Sequence, residues 1–290
     1  MPFAFPVNAV YVLGVATVFS LVSICARLAY DAGSNALTIV TMRTLFAGVL
    51  LVVLLNSRGV AWKLPRRERN WALALGAVLA LGTFLLNKAI QEIPVTIAIL
   101  IFYTYPPLTS VLSWVTGTER FSLRVLLTVV LAFVGLAFAL QVKGGALDPV
   151  GLAYAVGASV TWGVLMHMTG RHFRGGDSRP RTLHMMLSSA MLFIVACAVT
   201  GEVALPTTPT GWLGFAGVPF TYSIAIIGTM AAVSAIGAMK TSIYMNFEPI
   251  ATIVLSALVL EQYMTPLQLF GALLVVIALS VFKLPPRARA

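Results

Sequence analysis

The sequence predicts an all-α membrane protein: ten transmembrane helices, arranged as two inverted five-helix repeats around a central cavity, with both termini cytoplasmic. Three observations carry this. Of the 290 residues 59% are hydrophobic and 10% are charged, against about 25% charged in soluble domains. The mean hydropathy is +0.96, so a soluble fold of this composition could not cover its surface with polar groups. Apolar runs of spanning length recur ten times, and residue patterns recur 143 positions apart.

A span needs about 20 apolar residues. The runs are 8–28, 35–56, 71–91, 95–115, 124–142, 150–169, 182–200, 212–233, 239–259 and 267–283. The first follows Met1–Asn8, which carries no Lys or Arg, so it reads as a retained span rather than a cleaved signal peptide. The fourth is rich in β-branched residues, yet an open strand leaves backbone groups unpaired in lipid, so it too is predicted helical. The sixth and eighth carry Ala153-x3-Gly157 and Gly228-x3-Ala232, small residues that let helices approach closely. Connections between runs are short, which makes neighbouring helices antiparallel.

The net charge of +10 would point to nucleic acid in a soluble chain. Here the basic residues fall in short segments between apolar runs and set orientation instead. With the N-terminus inside, 15 of the 19 fall on the inner side: Arg58, Lys63, Arg66, Arg67, Arg69, Arg120, Arg124, Arg171, Arg174, Arg179, Arg181, Lys240, Lys283, Arg287 and Arg289. Lys143 lies outside and Arg27 at a span end. Cys25 and Cys197 sit within apolar runs, as buried small hydrophobes rather than a disulfide. Metal-ligand spacing is absent, and neither a metal nor a cofactor is expected.

The repeat divides the chain into residues 1–145 and 146–290. Tyr11-x2-Gly14 returns as Tyr154-x2-Gly157, and Phe19 as Trp162. Pro107 precedes Glu119 by twelve residues, as Pro249 precedes Glu261. Five spans per half is an odd number, so the second copy enters the membrane the other way up. Inverted repeats with a midplane site between the halves characterise secondary transporters.

The stretches Leu37-Thr38-x4-Arg43, Tyr105-Pro106-Pro107 to Gly117-Thr118-Glu119-Arg120, Trp162-Gly163, and Glu248-Pro249 to Leu260-Glu261 together resemble the EamA-like branch of the drug/metabolite transporter superfamily. Within it the chain is most similar to exporters of aromatic and other neutral amino acids. The resemblance implies a ten-helix bundle with substrate export through a central cavity, in a bacterial inner (plasma) membrane.

Glu248, central in the ninth run, is the most informative residue. An acid at bilayer centre costs about 2.5–3.5 kcal/mol on insertion scales, so it faces the interior, takes up a proton or finds a partner. It reads as a contact for a substrate amine or a proton-coupling group, with a structural carboxylate as the alternative. Pro106, Pro107 and Pro249 each remove a backbone donor near mid-span, and are candidate gating hinges or static kinks. Phe19, Tyr103, Tyr105, Trp162 and Tyr222 fall at comparable depth, as do Ser23 and Asn246. Aromatic residues usually gather at the interfaces, so several at the midplane predict a cavity wall. Asn87 and Lys88 are candidates for a substrate carboxylate near the outer mouth, although Lys88 can also snorkel to the surface. Arg43 reads as structural, and His167 as interfacial.

The expected function is a secondary transporter exporting aromatic and other neutral amino acids by alternating access. Its partners would be a small-molecule substrate and the lipid bilayer, with no nucleic acid, and the chain would act as a monomer. The alternative is an exporter of amphiphilic cations or drugs, or of another small metabolite. More remote is an intramembrane lipid-modifying enzyme. Its chemistry needs clustered acids, a Ser/His pair or a His-rich site, whereas the acids are dispersed and His167, His172 and His184 are spread out.

Overall fold

The computed structural model describes residues 8–141, 148–259 and 264–281. Leu260, Glu261, Gln262, Lys143, Lys283, Arg287 and Arg289 lie outside the described residues, and with them part of the charge pattern and one end of the Pro249–Glu261 spacing. The described residues of all ten apolar runs are predominantly helical, and among the described residues no strand occurs. The helices are α1 (Ala9–Asp31), α2 (Ala36–Ser57), α3 (Arg66–Glu92), α4 (Val95–Phe102), α5 (Tyr105–Val115), α6 (Leu123–Ala139), α7 (Pro149–His172), α8 (Arg179–Thr200), α9 (Pro209–Ile236), α10 (Ala238–Met245), α11 (Phe247–Val259) and α12 (Pro266–Val281). Seven stretches, with α4 and α5 taken together, are long and apolar enough to cross a membrane. The described parts of α6 and α12 are shorter apolar helices of 17 and 16 residues.

Helix starts follow capping chemistry. Asn8, Asn35, Asp148 and Thr208 each accept a backbone N–H of the first turn with a side-chain oxygen, worth about 1 kcal/mol apiece. Gly201 ends α8 in the left-handed region, at φ 67°. Gly237, at φ 91°, separates α9 from α10 with a single residue.

The runs at 95–115 and 239–259 differ from the expectation of continuous spans. The first breaks at Tyr103–Thr104, the second at Asn246. The prolines account for this. Pro106 sits in the first turn of α5 and Pro249 in that of α11. At a helix start the missing N–H would lack an intrahelical partner anyway. Side chains satisfy carbonyls at each break, as a lipid-embedded backbone requires. Thr104 Oγ1 donates to the Ile101 carbonyl at 2.7 Å, and Asn246 Nδ2 to that of Ile243 at 2.9 Å. Pro106 rather than Pro107 stands 143 residues before Pro249, the same offset that separates Tyr103 from Asn246 and Tyr105 from Glu248.

The most extensive packing joins residues before 141 to residues after 148: α1 on α9, α3 on α7, α6 on α12, α3 and α2 on α8, and α1 on α11. Small residues allow the approach. A Cβ on Gly228 would lie 2.6 Å from Val15 Cγ2, and one on Gly157 3.2 Å from Leu85 Cδ1. The buried core runs through both halves, from Val12 and Leu51 to Ile226 and Ile243.

Candidate functional site

The break between α4 and α5 and the break between α10 and α11 bring Tyr103 and Glu248 together. The Tyr103 hydroxyl and the Glu248 carboxylate are close enough to act on one another electrostatically. Around them the aromatic rings form a continuous wall. Tyr103 and Tyr105 have centroids 5.8 Å apart, and Phe102 lies 5.3 Å from Tyr105 and 5.8 Å from Trp162. Trp162 on α7 meets Tyr105 edge-on at 6.3 Å. Edge-to-face contacts of this kind add about 0.5–1.5 kcal/mol beyond area burial.

A second aromatic pair stands on α1 and α9, where Phe19 meets Tyr222 edge-on at 6.1 Å. Over the Tyr222 ring lies the Arg43 guanidinium, its Cζ 4.4 Å from the centroid. Arg43 Nε is buried with no hydrogen-bond partner. Arg43 is also the cation whose field acts on Glu248. Among the described residues neither Arg43 nor Glu248 forms an ion pair with the other or with a third group. A buried donor without a partner is uncommon and calls for an explanation.

Five expected wall residues, Phe19, Tyr103, Tyr105, Trp162 and Tyr222, thus belong to two aromatic groups, the first beside Glu248 and the second beneath Arg43. Ser23 is exposed, one turn beyond Phe19 on the same face of α1. Asn246 is buried, but its amide is held by the Ser242 and Ile243 carbonyls at 3.4 and 2.9 Å. Its observed role is to close the helix break. Asn87 and Lys88 line a different cavity, between α2, α3 and α8, and Lys88 Nζ donates to Gln91 Oε1 at 3.3 Å. His167, five residues before the end of α7, is buried in the bundle, its ring nitrogens 3.4 Å from Ser113 Oγ and 3.2 Å from Thr116 Oγ1. Sequence reasoning missed Phe102 and gave Arg43 only a structural role. The available signal for Arg43 was a cation deep in an apolar run with no acid on its own helix inside the membrane.

Charged ties gather at the end of the bundle that carries the α7–α8 loop. Arg181 Nε meets Glu68 Oε2 at 3.0 Å and Arg174 Nη2 meets Glu119 Oε1 at 3.4 Å. The Trp71 ring stacks on His172 at 4.0 Å. Burial pushes the Asp177 carboxyl up, but hydrogen bonds from Arg179 outweigh it and hold the group below its ordinary value. Among the described residues no group of three or more His, Cys, Asp or Glu could hold a metal.

Apolar helices of spanning length, with two breaks and a half-buried acid beside an aromatic wall, make a multi-pass membrane bundle. The chain belongs to the EamA-like transporter family, whose model matches it twice, over residues 8–141 and 149–283. It is similar to the uncharacterized transporter YyaM of Bacillus subtilis (25% identity over 83% of each chain). It is also similar to the uncharacterized transporter sll1319 of Synechocystis (24% identity, 86% of this chain and 79% of that one) and to the uncharacterized transporter YvbV of Bacillus subtilis (26%, 91% and 87%). A solved crystal structure shares the fold at a TM-score of 0.79 and 16% identity, covering 94% of this chain and 96% of that one.

Proposed function

We propose that this transporter exports amino acids with aromatic or other neutral side chains across the plasma membrane, by alternating access. The observation that carries the reading is one half-buried acid and one half-buried arginine, not ion-paired with each other, against aromatic walls, with the arginine Nε buried and lacking a hydrogen-bond partner. Glu248 would take the substrate ammonium and Arg43 the carboxylate. Phe19, Tyr222 and the group Tyr103, Tyr105 and Trp162 would hold the side chain. Arg43 also weighs against an exporter of amphiphilic cations, because a cation beside Glu248 would meet a like charge in a medium that screens poorly.

In this reading the chain crosses the membrane ten times as two inverted repeats, divided near residue 145, with both termini in the cytoplasm. The 143-residue offset between the two helix breaks supports it, as does the paired packing of α1 on α9 and α3 on α7. Pro106 and Pro249, with Pro107 beside the first, start the half-helices about which the two bundles would rock. One chain holds both halves, so a monomer suffices. Uptake of a labelled aromatic amino acid into proteoliposomes, with unlabelled amino acids and a quaternary ammonium compound as competitors, tests the assignment. Competition by amino acids alone supports it; competition by the quaternary cation alone favours the other substrate class.

A further inference from the structure

A groove of about 520 Å³ opens between α2, α3 and α8. Its floor is the buried cluster of Val40, Ala80 and Phe193, and its walls include the exposed side chains of Leu81, Phe84 and Leu192. One end is sealed where α3 crosses α8: a Cβ on Gly76 would fall 2.3 Å from the Met185 carbonyl oxygen, so the two backbones touch there. Toward the other end the lining turns polar, with Asn35, Asn87, Lys88, Gln91, Thr200 and Glu202. Asn35 Nδ2 donates to the Glu202 backbone oxygen at 3.1 Å, which fixes the acid near the groove's mouth. None of the residues around Glu248 lines this cavity.

The dimensions fit one chemistry. From Ala77 to Lys88 α3 rises about 16 Å, close to the roughly 15 Å of hydrocarbon in one leaflet. A small zwitterion would leave that apolar length unused, whereas an acyl chain gains with every methylene it buries. At the mouth, Lys88 makes no ion pair among the described residues and donates a hydrogen bond to the neutral Gln91. Glu202 adds the opposite charge at the same rim. A headgroup that carries a phosphate and a primary ammonium complements both.

We propose that this groove binds one acyl chain of a phosphatidylethanolamine-type lipid, its phosphate at Lys88 and its ammonium at Glu202. The site is independent of the transported substrate. Native mass spectrometry of the full chain, with equimolar phosphatidylethanolamine, phosphatidylglycerol and phosphatidylcholine of matched chains, tests it. The first lipid is retained about fivefold over the others, because only it offers ammonium N–H donors to the acid as well as a phosphate to the lysine. Glu202→Gln erases the preference, Lys88→Ala lowers retention, and Ala80→Phe, which fills the floor, abolishes it. Should Ala80→Phe fail to fold, the exposed wall change Phe84→Ser carries the same comparison. Glu248→Gln leaves retention unchanged, which separates this site from the transport site. Equal retention of the three lipids, or undiminished retention when floor and wall are altered, would overturn the proposal.

Discussion

The guanidinium of Arg43 lies 4.4 Å over the ring of Tyr222 while its Nε, buried, has no hydrogen-bond partner. The ring contact stabilises the cation but satisfies none of its N–H donors. An arginine left in this state inside a bundle is poised for an acceptor that arrives from outside. In the proposed function a substrate carboxylate would supply one.

Removing that donor set therefore costs substrate binding more than folding. Arg43→Ala lowers amino acid flux by about ten- to a hundredfold, the range expected for a lost charge-assisted hydrogen bond. The same variant transports quaternary ammonium compounds at least as well as the parent, because the repelling charge is gone. Arg43→Lys keeps the charge but not the planar fork and recovers only part of the flux. Competition assays in proteoliposomes separate these outcomes.

Glu248→Gln preserves shape and removes the charge. Flux of a zwitterion falls about tenfold or more, and any response of flux to an imposed pH gradient disappears. Thermal unfolding stays near that of the parent, since among the described residues no ion pair is lost. Parental flux in this variant removes Glu248 from the mechanism.

The aromatic wall acts on side-chain preference. Trp162→Ala deletes the ring that packs on Phe102 and Tyr105. It raises the KM for aromatic substrates about tenfold, on the scale of one lost aromatic contact. The KM for alanine changes much less. Equal changes for both substrates would mean that Trp162 only supports packing.

The helical character of the chain and the prolines that mark both breaks were legible in the sequence, but that the helices stop there, at Tyr103–Thr104 and at Asn246, was not. Apolar length and the prolines at 106 and 249 act locally, and local chemistry is what a sequence displays. The aromatic residues of the site were legible by depth for the same reason. Depth does not report direction around the helix. Lys88 and Glu248 both read as intramembrane charges, yet α3 turns Lys88 into a lateral groove while the start of α11 turns Glu248 toward Tyr103. Asn246 looked like a ligand because it is polar and central. The break it sits in claims its amide for the Ser242 and Ile243 carbonyls. Arg43 was undervalued because its neighbours Tyr222 and Glu248 lie about 180 or more positions away in the chain.

At the opposite end of the bundle, the Glu68–Arg181 pair ties α3 to α8. In the proposed alternating-access cycle, Glu68→Arg breaks this pair and shifts the population toward a state open at that end; adding Arg181→Glu restores it. Cysteine accessibility to a membrane-impermeant reagent on that side measures both. Asp177 gives the same loop an acid dependence. Its carboxyl is held below the ordinary value by Arg179. The stability it supplies is therefore present above the unfolded value, about pH 4, and is lost as the pH falls through the lower folded value. Asp177→Asn removes that dependence.

The central claim is tested most directly by uptake of a labelled aromatic amino acid into proteoliposomes, with empty liposomes as the control and with and without a pH gradient. Saturable flux that unlabelled neutral amino acids compete away is the expected result. Flux no higher than the control, from protein verified as folded and inserted, would contradict it.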